Sequence, residues 1–180
     1  MSILKTNRLL LRPLTPLDAE AMFKNWTCDE RAAKYCTWYP HKSINETKLL
    51  LKMYLDQKEK GFDYRWGIEL KETNELIGVI DVVDLSDDNK TAVIGYVLGC
   101  EFWNKGFATE ALSIVIEKLF ADGIETIEAR HHIDNIASGK VMEKCGMIFT
   151  HSDKTKRKFN STEMCDILCY ESRNKQVIYS

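Results

Sequence analysis

Proline and glycine, which mark linkers and breaks between domains, are scarce in this sequence of 180 residues: there are 3 prolines and 9 glycines, and no Pro/Gly/Ser-rich stretch. No repeat, low-complexity tract or change in composition divides the chain either. The hydrophobic content of 44% is enough for a substantial core at this length. We therefore expect residues 1–180 to fold as a single domain.

Long apolar runs and a strong net charge are also absent. The first residues lack the charged leader and apolar stretch of a secretion signal, and no apolar run approaches the roughly 18 residues needed to cross a bilayer. The net charge of −2 gives no general attraction to nucleic acid or to an anionic membrane. We expect a cytoplasmic protein without nucleic-acid or membrane partners. The basic run at residues 154–158 is expected to be a solvated hairpin.

The six cysteines do not form a metal-binding or redox motif. None of them belongs to a Cys-x-x-Cys pair, and none clusters with histidine along the sequence. Cys165 and Cys169 are spaced to share one face of a strand, but such a pair is seldom a metal site by itself. Reduced thiols and no bound metal are therefore expected.

Two helix starts are visible in the first third of the chain, after a short strand at residues 8–12. Thr15, Pro16 and Asp18 match an N-cap, a first helical position and an acidic third position. Residues 43–46 match the capping box Ser-x-x-Glu, and Gly61 can end the helix that follows. These patterns predict two helices.

The remainder of the chain alternates between strand and helix patterns. Strand-like segments separated by turn residues lie at residues 66–70, 76–85 and 91–98, which indicates an antiparallel meander. A helix from Ala108 to Phe120, a strand at residues 124–131, a helix at residues 137–145 and two final strands follow. This order predicts a mixed α/β (α+β) layout around one sheet.

The most informative segment is residues 101–112, where a glycine-bearing turn runs straight into an amphipathic helix. The first N–H groups of a helix have no helical partner and the helix dipole favours negative charge there, so this junction predicts an anion site. The Walker spacing Gly-x4-Gly-Lys-Ser/Thr is absent, and Gly95, Gly99 and Gly106 are too widely placed for the Rossmann motif. A site for ATP or a dinucleotide is therefore not indicated.

Several segments together match a known family. They are Trp103-Asn104-Lys105-Gly106-Phe107-Ala108-Thr109-Glu110-Ala111-Leu112, Asp134-Asn135-Ile136-Ala137-Ser138, Val141-Met142-Glu143-Lys144-Cys145-Gly146-Met147, Thr6-Asn7-Arg8-Leu9-Leu10-Leu11-Arg12-Pro13-Leu14 and Trp38-Tyr39-Pro40-His41. With them the chain resembles the GNAT acetyltransferase superfamily, and within it the branch that contains the ribosomal-protein N-terminal (alanine/serine) acetyltransferases.

The resemblance implies a GNAT-like sheet, mixed and mostly antiparallel, of about seven strands with helices on both faces, and an acetyl-CoA site. The pyrophosphate would bind backbone N–H groups of the turn, where glycine at position 106 removes a Cβ that would crowd it. In the family, the strand that corresponds to residues 91–98 splays from the next strand and pairs with pantetheine. The predicted cofactor-binding residues are Tyr96, Val97, Leu98, Trp103, Asn104, Lys105, Gly106, Phe107, Ala108, Thr109, Asn135 and Ser138.

The resemblance also implies that Ser138 and Asn135 are catalytic. Ser138 matches the serine of the branch's Asn-x-x-Ser motif and would protonate the departing CoA thiolate, because Met142 stands where many members of the superfamily carry a tyrosine acid. Asn135 would contact the cofactor or order water. The alternative is that both residues only cap and begin a helix. The general base stays open among four candidates, which are Glu69, Asp81, His131 and His132.

Aromatic residues between the first two helices are predicted to bind the acceptor: Tyr35, Trp38 and Tyr39. Ordinary loop packing is the alternative for each of them. The implied activity is direct transfer of the acetyl group from acetyl-CoA to a primary amine. A protein or peptide N-terminal amine is favoured, and a polyamine or a drug is the alternative acceptor. A non-catalytic CoA-binding module and an ATP- or NAD-binding protein are the competing classes.

Overall fold

A computed structural model describes residues 2–62 and 64–174. Its centre is one eight-stranded sheet with the order β1-β2-β3-β4-β5-β6-β8-β7. The strands are β1 (Leu4–Lys5), β2 (Leu9–Arg12), β3 (Arg65–Leu70), β4 (Glu75–Leu85), β5 (Thr91–Leu98), β6 (Thr126–His132), β7 (Ile148–Lys156) and β8 (Met164–Arg173). The mixed, mostly antiparallel sheet is confirmed. The eighth strand, β1, has two residues, which is too short to leave a period-two pattern.

Helices cover both faces of the sheet, as expected. They are α1 (Ala19–Met22), α2 (Glu30–Ala33), α3 (Ile44–Glu59), α4 (Phe107–Ala121) and α5 (Ile136–Lys144), and helical turns at Pro16–Asp18 and Phe23–Thr27 flank α1. The buried apolar side chains of α4 and α5 join one core cluster, whereas those of α1, α2 and α3 join another cluster across the sheet. The two predicted helix starts in the first third are correct. The four-residue α2 was not predicted because one turn is too short to show a helical stripe.

The helix ends follow the predicted chemistry in part. The backbone N–H of Thr15 donates to the Asp18 carboxylate over 2.7 Å, as the N-cap pattern requires. At the start of α3, the Glu46 carboxylate accepts instead from the N–H of Lys42, at 3.2 Å. Ser43 makes no side-chain cap bond. The start of this helix is therefore right, although the reciprocal capping box is not formed.

Strand β3 is buried on both faces of the sheet. Trp66 and Ile68 lie in the core, and Gly67 and Glu69 on the other face are buried as well. The alternation that predicted this strand therefore separates two buried environments and does not separate core from solvent. Strands β3 and β4 are the buried centre of the sheet, and the more open part of the sheet lies next to them.

The sheet opens between β5 and β6, which form its one parallel pair among the described residues. Their pairing runs from Thr91 opposite Thr126 to Ile94 opposite Ala129 and then stops, although both strands continue. The strands therefore separate at residues 95–98 and 130–132. We call this opening the notch. The start of α4 follows β5 and the start of α5 follows β6, so both helix N-termini lie at its end of the sheet.

All six cysteines carry free thiols. In the described ranges, no group of three or more His, Cys, Asp or Glu side chains is arranged to hold a metal ion. Within those same ranges, no helix has both the length and the apolar character needed to cross a bilayer.

Candidate active site

The turn before α4 presents a row of backbone N–H groups. Asn104 (φ 58°) and Gly106 (φ 81°) both adopt the left-handed conformation, which bends the chain tightly into the first helical turn. Within the described part of the chain, none of the N–H groups of residues 104–109 donates to a protein acceptor. Such unpaired N–H groups at the positive end of a helix dipole form an anion-binding concavity. The anion site predicted from the sequence has this geometry.

Residues near the N-terminus hold this turn in place. Arg8 donates from Nη1 to the carbonyl oxygen of Lys105 (2.9 Å) and pairs through Nε with the Glu110 carboxylate (2.7 Å). Thr6 donates its hydroxyl to the same carboxylate over 2.6 Å. Burial alone would raise the pKa of Glu110, but the hydrogen bonds from Thr6 and Arg8 outweigh it and lower that pKa. The carboxylate therefore stays charged and keeps the Arg8 bridge closed.

One edge of the notch is the free side of β5. The N–H of Gly99 donates to the carbonyl of Ile77 on β4 (2.9 Å), and Val97 lies two residues earlier on the same strand. Alternate residues of an antiparallel strand direct their backbone groups to the same neighbour, so Val97 also uses its groups on β4. Tyr96 and Leu98 direct theirs into the notch.

Trp103 occupies part of that edge. Its indole N–H donates to the carbonyl oxygen of Leu98 over 2.9 Å, which ties the turn to the end of β5. The N–H and C=O of Tyr96 and the N–H of Leu98 face the notch. The side chain of Lys105 is exposed, with Nζ 5.7 Å from the ring centroid of Phe102. Of the predicted cofactor-binding residues on β5, Tyr96 and Leu98 therefore direct backbone groups into the notch. Trp103 supports this edge through its hydrogen bond to Leu98.

Ser138 lies at the start of α5, opposite β5, and it meets a side chain that sequence reasoning missed. The phenol oxygen of Tyr96 is 2.7 Å from the Ser138 hydroxyl and 3.2 Å from the Ser138 carbonyl oxygen. Burial raises the pKa of Tyr96 to about 12, although the bond to Ser138 lowers it in part. Tyr96 therefore stays protonated near neutral pH and can donate to Ser138. The serine proton is then free to point into the notch.

The other residues of the α5 motif have structural contacts. The side-chain oxygen of Asn135 accepts from the N–H of Ser138 at 3.4 Å. This is the N-cap bond expected if Asn135 caps the helix. Met142 is buried in the core cluster of α4 and α5. Its side chain therefore fills the interior of the protein.

The two carboxylates considered as bases are bound to arginines. Glu69 accepts from Nε of Arg12 over 2.6 Å, and Asp81 accepts from Nε of Arg65 over 2.7 Å. Both carboxylates are buried. Protonating either of them would break a buried ion pair, although Arg12 would keep its two bonds to the Asp18 carboxylate.

The two histidines at the end of β6 point to opposite faces of the sheet. Nδ1 of His131 lies 2.8 Å from the carbonyl oxygen of His132, which can only accept, so Nδ1 is the donor of this bond. Nε2 of His131 is buried under α5, where a Cβ on Gly139 would lie 2.7 Å from it. His132 accepts from the N–H of Asp134 at 3.1 Å, and its ring centroid is 5.2 Å from that of Tyr35.

The predicted acceptor residues are only partly brought to the notch. Tyr35 lies against His132 at the end of β6. Trp38 is half-buried against the α1–α3 cluster, with its ring centroid 6.0 Å from that of His41. Tyr39 is 59% exposed and lies beside the hairpin of β7 and β8. Tyr35 is therefore the member of this set with a direct contact to a strand of the notch.

The expectation that residues 154–158 form a solvated hairpin is wrong at its last residue. Lys158 is 8% exposed and its ammonium contacts the segment that carries the predicted acceptor residues. Sequence reasoning also missed Arg8 and Glu110 as supports of the turn. The signal for those two was present, because Arg8 and Glu110 both stand inside segments that were singled out.

The turn, the notch and the hydroxyl pair define a site for an extended ligand that is anionic at one end and reacts at the other. The sequence profile described as the acetyltransferase (GNAT) domain matches residues 8–148. YoaA, an uncharacterized N-acetyltransferase of Bacillus subtilis (strain 168), is 38% identical over 147 residues, which cover 80% of this chain and 81% of YoaA. The chain belongs to the GNAT acetyltransferase family.

Solved structures share the fold. A GNAT-family acetyltransferase from Bacillus anthracis has a TM-score of 0.84 at 25% identity, with 96% of this chain and 98% of that chain covered. RimL, a ribosomal L7/L12 alpha-N-protein acetyltransferase in complex with coenzyme A, has a TM-score of 0.80 at 21% identity, with 96% and 98% covered. The family match therefore confirms three predictions: the GNAT family, an N-acetyltransferase and acetyl-CoA as its cosubstrate.

Proposed function

We propose that this N-acetyltransferase transfers the acetyl group directly from acetyl-CoA to the α-amino group of a protein or peptide N-terminus. In this scheme the N–H groups of residues 104–109 bind the pyrophosphate, and the notch-facing backbone groups of Tyr96 and Leu98 hold the pantetheine arm. The thioester then lies between β5 and the start of α5. RimL, whose fold the chain shares, is named for action on a protein N-terminus.

The transfer itself needs few protein groups. The lone pair of a neutral amine attacks the thioester carbon, the carbon–sulfur bond breaks, and an amide and the CoA thiolate form as the amine loses a proton. Ser138 donates a hydrogen bond to the leaving sulfur, and Tyr96 donates to Ser138 behind it, so that the two hydroxyls polarise each other. Notch-facing N–H groups of β5 stabilise the carbonyl oxygen as negative charge develops on it.

The pairing of Glu69 and Asp81 with arginines is the observation that supports an N-terminal acceptor. Both carboxylates already accept from arginines, and although burial raises the pKa of Asp81, Arg65 opposes its protonation, so we infer that the site is short of a strong base. An α-amine has a reference pKa of about 7.7–8.0 and is partly neutral at pH 7, whereas a lysine amine near 10.4 is almost wholly charged. A site with a weak base therefore suits an α-amine better. His132, beside Tyr35, is our candidate to accept the proton.

A mass-spectrometric acceptor screen tests this proposal. The wild-type protein is incubated with acetyl-CoA and matched acceptors: peptides with a free N-terminus and no lysine, the same peptides N-terminally blocked with one lysine, and polyamines. We expect acetylation of the free α-amines, with thiol release to match. Preferential acetylation of polyamines or lysine side chains would contradict the acceptor class. Coenzyme A binding without turnover on any amine would instead support a non-catalytic module.

A further inference from the structure

The hairpin between β7 and β8 carries a lysine whose charged end is inside the protein. Lys158 is 8% exposed, and its Nζ lies 2.6, 2.7 and 2.9 Å from the carbonyl oxygens of Ala33, Cys36 and Trp38. An ammonium group has three N–H donors and no acceptor. Each donor therefore has one backbone carbonyl as its partner.

Because this ammonium is buried, losing its hydrogen bonds would cost free energy. Desolvation lowers the pKa of Lys158, which records that the charge has been taken out of water. A buried charge is tolerated when its hydrogen bonds are satisfied, and the carbonyls are likewise withdrawn from water by the lysine. Loss of the ammonium would leave all three carbonyls to find new partners at once.

The carbonyls belong to the segment that carries the predicted acceptor residues. Residues 34–43 join α2 to α3 and contain no strand or helix, so no ladder of backbone bonds fixes their path. The hairpin supplies a second tie, because the N–H of Phe159 donates to the carbonyl of Thr37 over 2.8 Å. The ring centroid of Tyr39 is 5.6 Å from the Lys158 ammonium. The hairpin therefore helps to fix the conformation of this segment, whose far end is held by the N–H of His41 donating to the carbonyl of Thr27 over 2.7 Å.

We infer that Lys158 is a positioning residue for the acceptor: by binding three carbonyls of residues 33–38 it fixes the wall of the acceptor site that includes Tyr35, and thereby governs acceptor affinity and selectivity. Lys158 does not touch the cofactor turn or the Tyr96–Ser138 pair. Its effect on the reaction passes through Tyr35, which lies against His132 at the notch. The inference rests on the proposed function, since it assumes that the acceptor enters on this side.

The first test compares Lys158→Met with Lys156→Met, which removes an exposed lysine from the end of β7 in the same hairpin. We expect the KM for the peptide acceptor to rise by at least about tenfold in Lys158→Met, as for the loss of one or more charge-assisted hydrogen bonds. The KM for acetyl-CoA and the Kd for coenzyme A should stay close to the Lys156→Met values. The ranking of acceptors in the panel should also change in Lys158→Met alone.

Lys158→Arg keeps the charge but replaces three converging donors by a planar fork. We expect it to restore part of the acceptor affinity, and it also serves if Lys158→Met folds poorly. Hydrogen exchange without substrates gives a readout independent of turnover. Amides of residues 34–41 should exchange faster in Lys158→Met than in Lys156→Met, while those of α4 remain unchanged.

Two results would overturn the inference: equal changes in the KM values for the acceptor and acetyl-CoA, or unchanged exchange in residues 34–41. Either result leaves the proposed function standing, because the wild-type protein still acetylates its acceptor. A wild-type protein that binds coenzyme A and acetylates no amine is a different failure. It would remove the proposed function, and the inference with it.

Discussion

The proposed cofactor side and the proposed acceptor side of the notch are built in different ways. The cofactor side comes from one nearly continuous stretch, in which β5 leads through the turn at residues 99–106 into α4, and the local backbone conformation creates the binding groups. The acceptor side is an irregular segment whose carbonyls are held by Lys158, 120 to 125 positions away along the chain. Backbone conformation within one stretch shapes the cofactor turn, which Arg8 and Thr6 support from 97 to 104 positions away, whereas the proposed acceptor wall is an irregular segment that depends on the distant Lys158.

This difference in construction bears on how the two sides of the notch can change. A cofactor turn shaped mainly by one stretch of chain suits a cosubstrate that does not vary with the acceptor. An acceptor wall held by a few side chains from a distant hairpin can change with substitutions in that hairpin, without disturbing the cofactor turn. We therefore expect that substitutions can perturb the two sides separately.

Ser138→Ala should have the largest effect, because it removes the hydroxyl opposite the leaving sulfur. We expect kcat to fall by about 100-fold, the range for loss of one donor to developing charge, with the Kd for coenzyme A changed by less than about twofold. Ser113→Ala is the matched control, since Ser113 is a half-buried serine whose hydroxyl contacts Cys145 between the two helices. Steady-state kinetics and calorimetry measure both quantities. Unchanged turnover in Ser138→Ala would remove Ser138 from the chemistry.

Gly106→Val should have the next largest effect, on cofactor affinity. Valine at φ 81° is strained and would place a branched side chain in the turn. We expect coenzyme A to bind about 30-fold more weakly or worse, corresponding to about 2 kcal/mol. Gly123→Val is the control for strain, because Gly123 has φ 92° and a Cβ at this position would meet no atom within 4 Å. Equal coenzyme A affinity in the two variants would contradict the turn as the binding site.

Arg8→Met should have the smallest effect on the cofactor side. It removes the donor to the Lys105 carbonyl and the partner of Glu110, and we expect the Kd for coenzyme A to rise by about fivefold. Arg173→Met is the control, because it removes an exposed arginine that pairs with Glu171 on β8. Acceptor KM should be unaffected in both variants. A rise in the acceptor KM alone would contradict this prediction, because it would show that the Arg8 bridge acts on acceptor binding and not on coenzyme A binding.

The fold and the geometry of the turn before α4 were predictable because their signals are local. The period-two and helical stripes, the glycine at the turn and the Asn-x-x-Ser start of α5 each describe a few neighbouring residues. The Tyr96–Ser138 pair was missed because it joins positions 42 residues apart. Tyr96 was predicted for its backbone alone.

The burial of Lys158 and the ion pairs of Glu69 and Asp81 were not predicted for the same reason. A lysine at the end of a basic run is normally solvated, and the burial of Lys158 follows from three carbonyls in a distant, irregular segment. The ion pairs of Glu69 and Asp81 are likewise set by how the strands pair, so residue type alone made both carboxylates equal candidates for the base.

A titration of the isotope-labelled protein with coenzyme A, followed by the chemical shifts of its backbone amides, tests where the cofactor binds. We expect the largest changes at residues 104–109 and at Tyr96 and Leu98, with small changes at residues 33–38. In Gly106→Val, but not in Gly123→Val, these changes should require much higher coenzyme A concentrations. Largest changes at residues 33–38, with residues 104–109 unmoved, would contradict the assignment of the two sides.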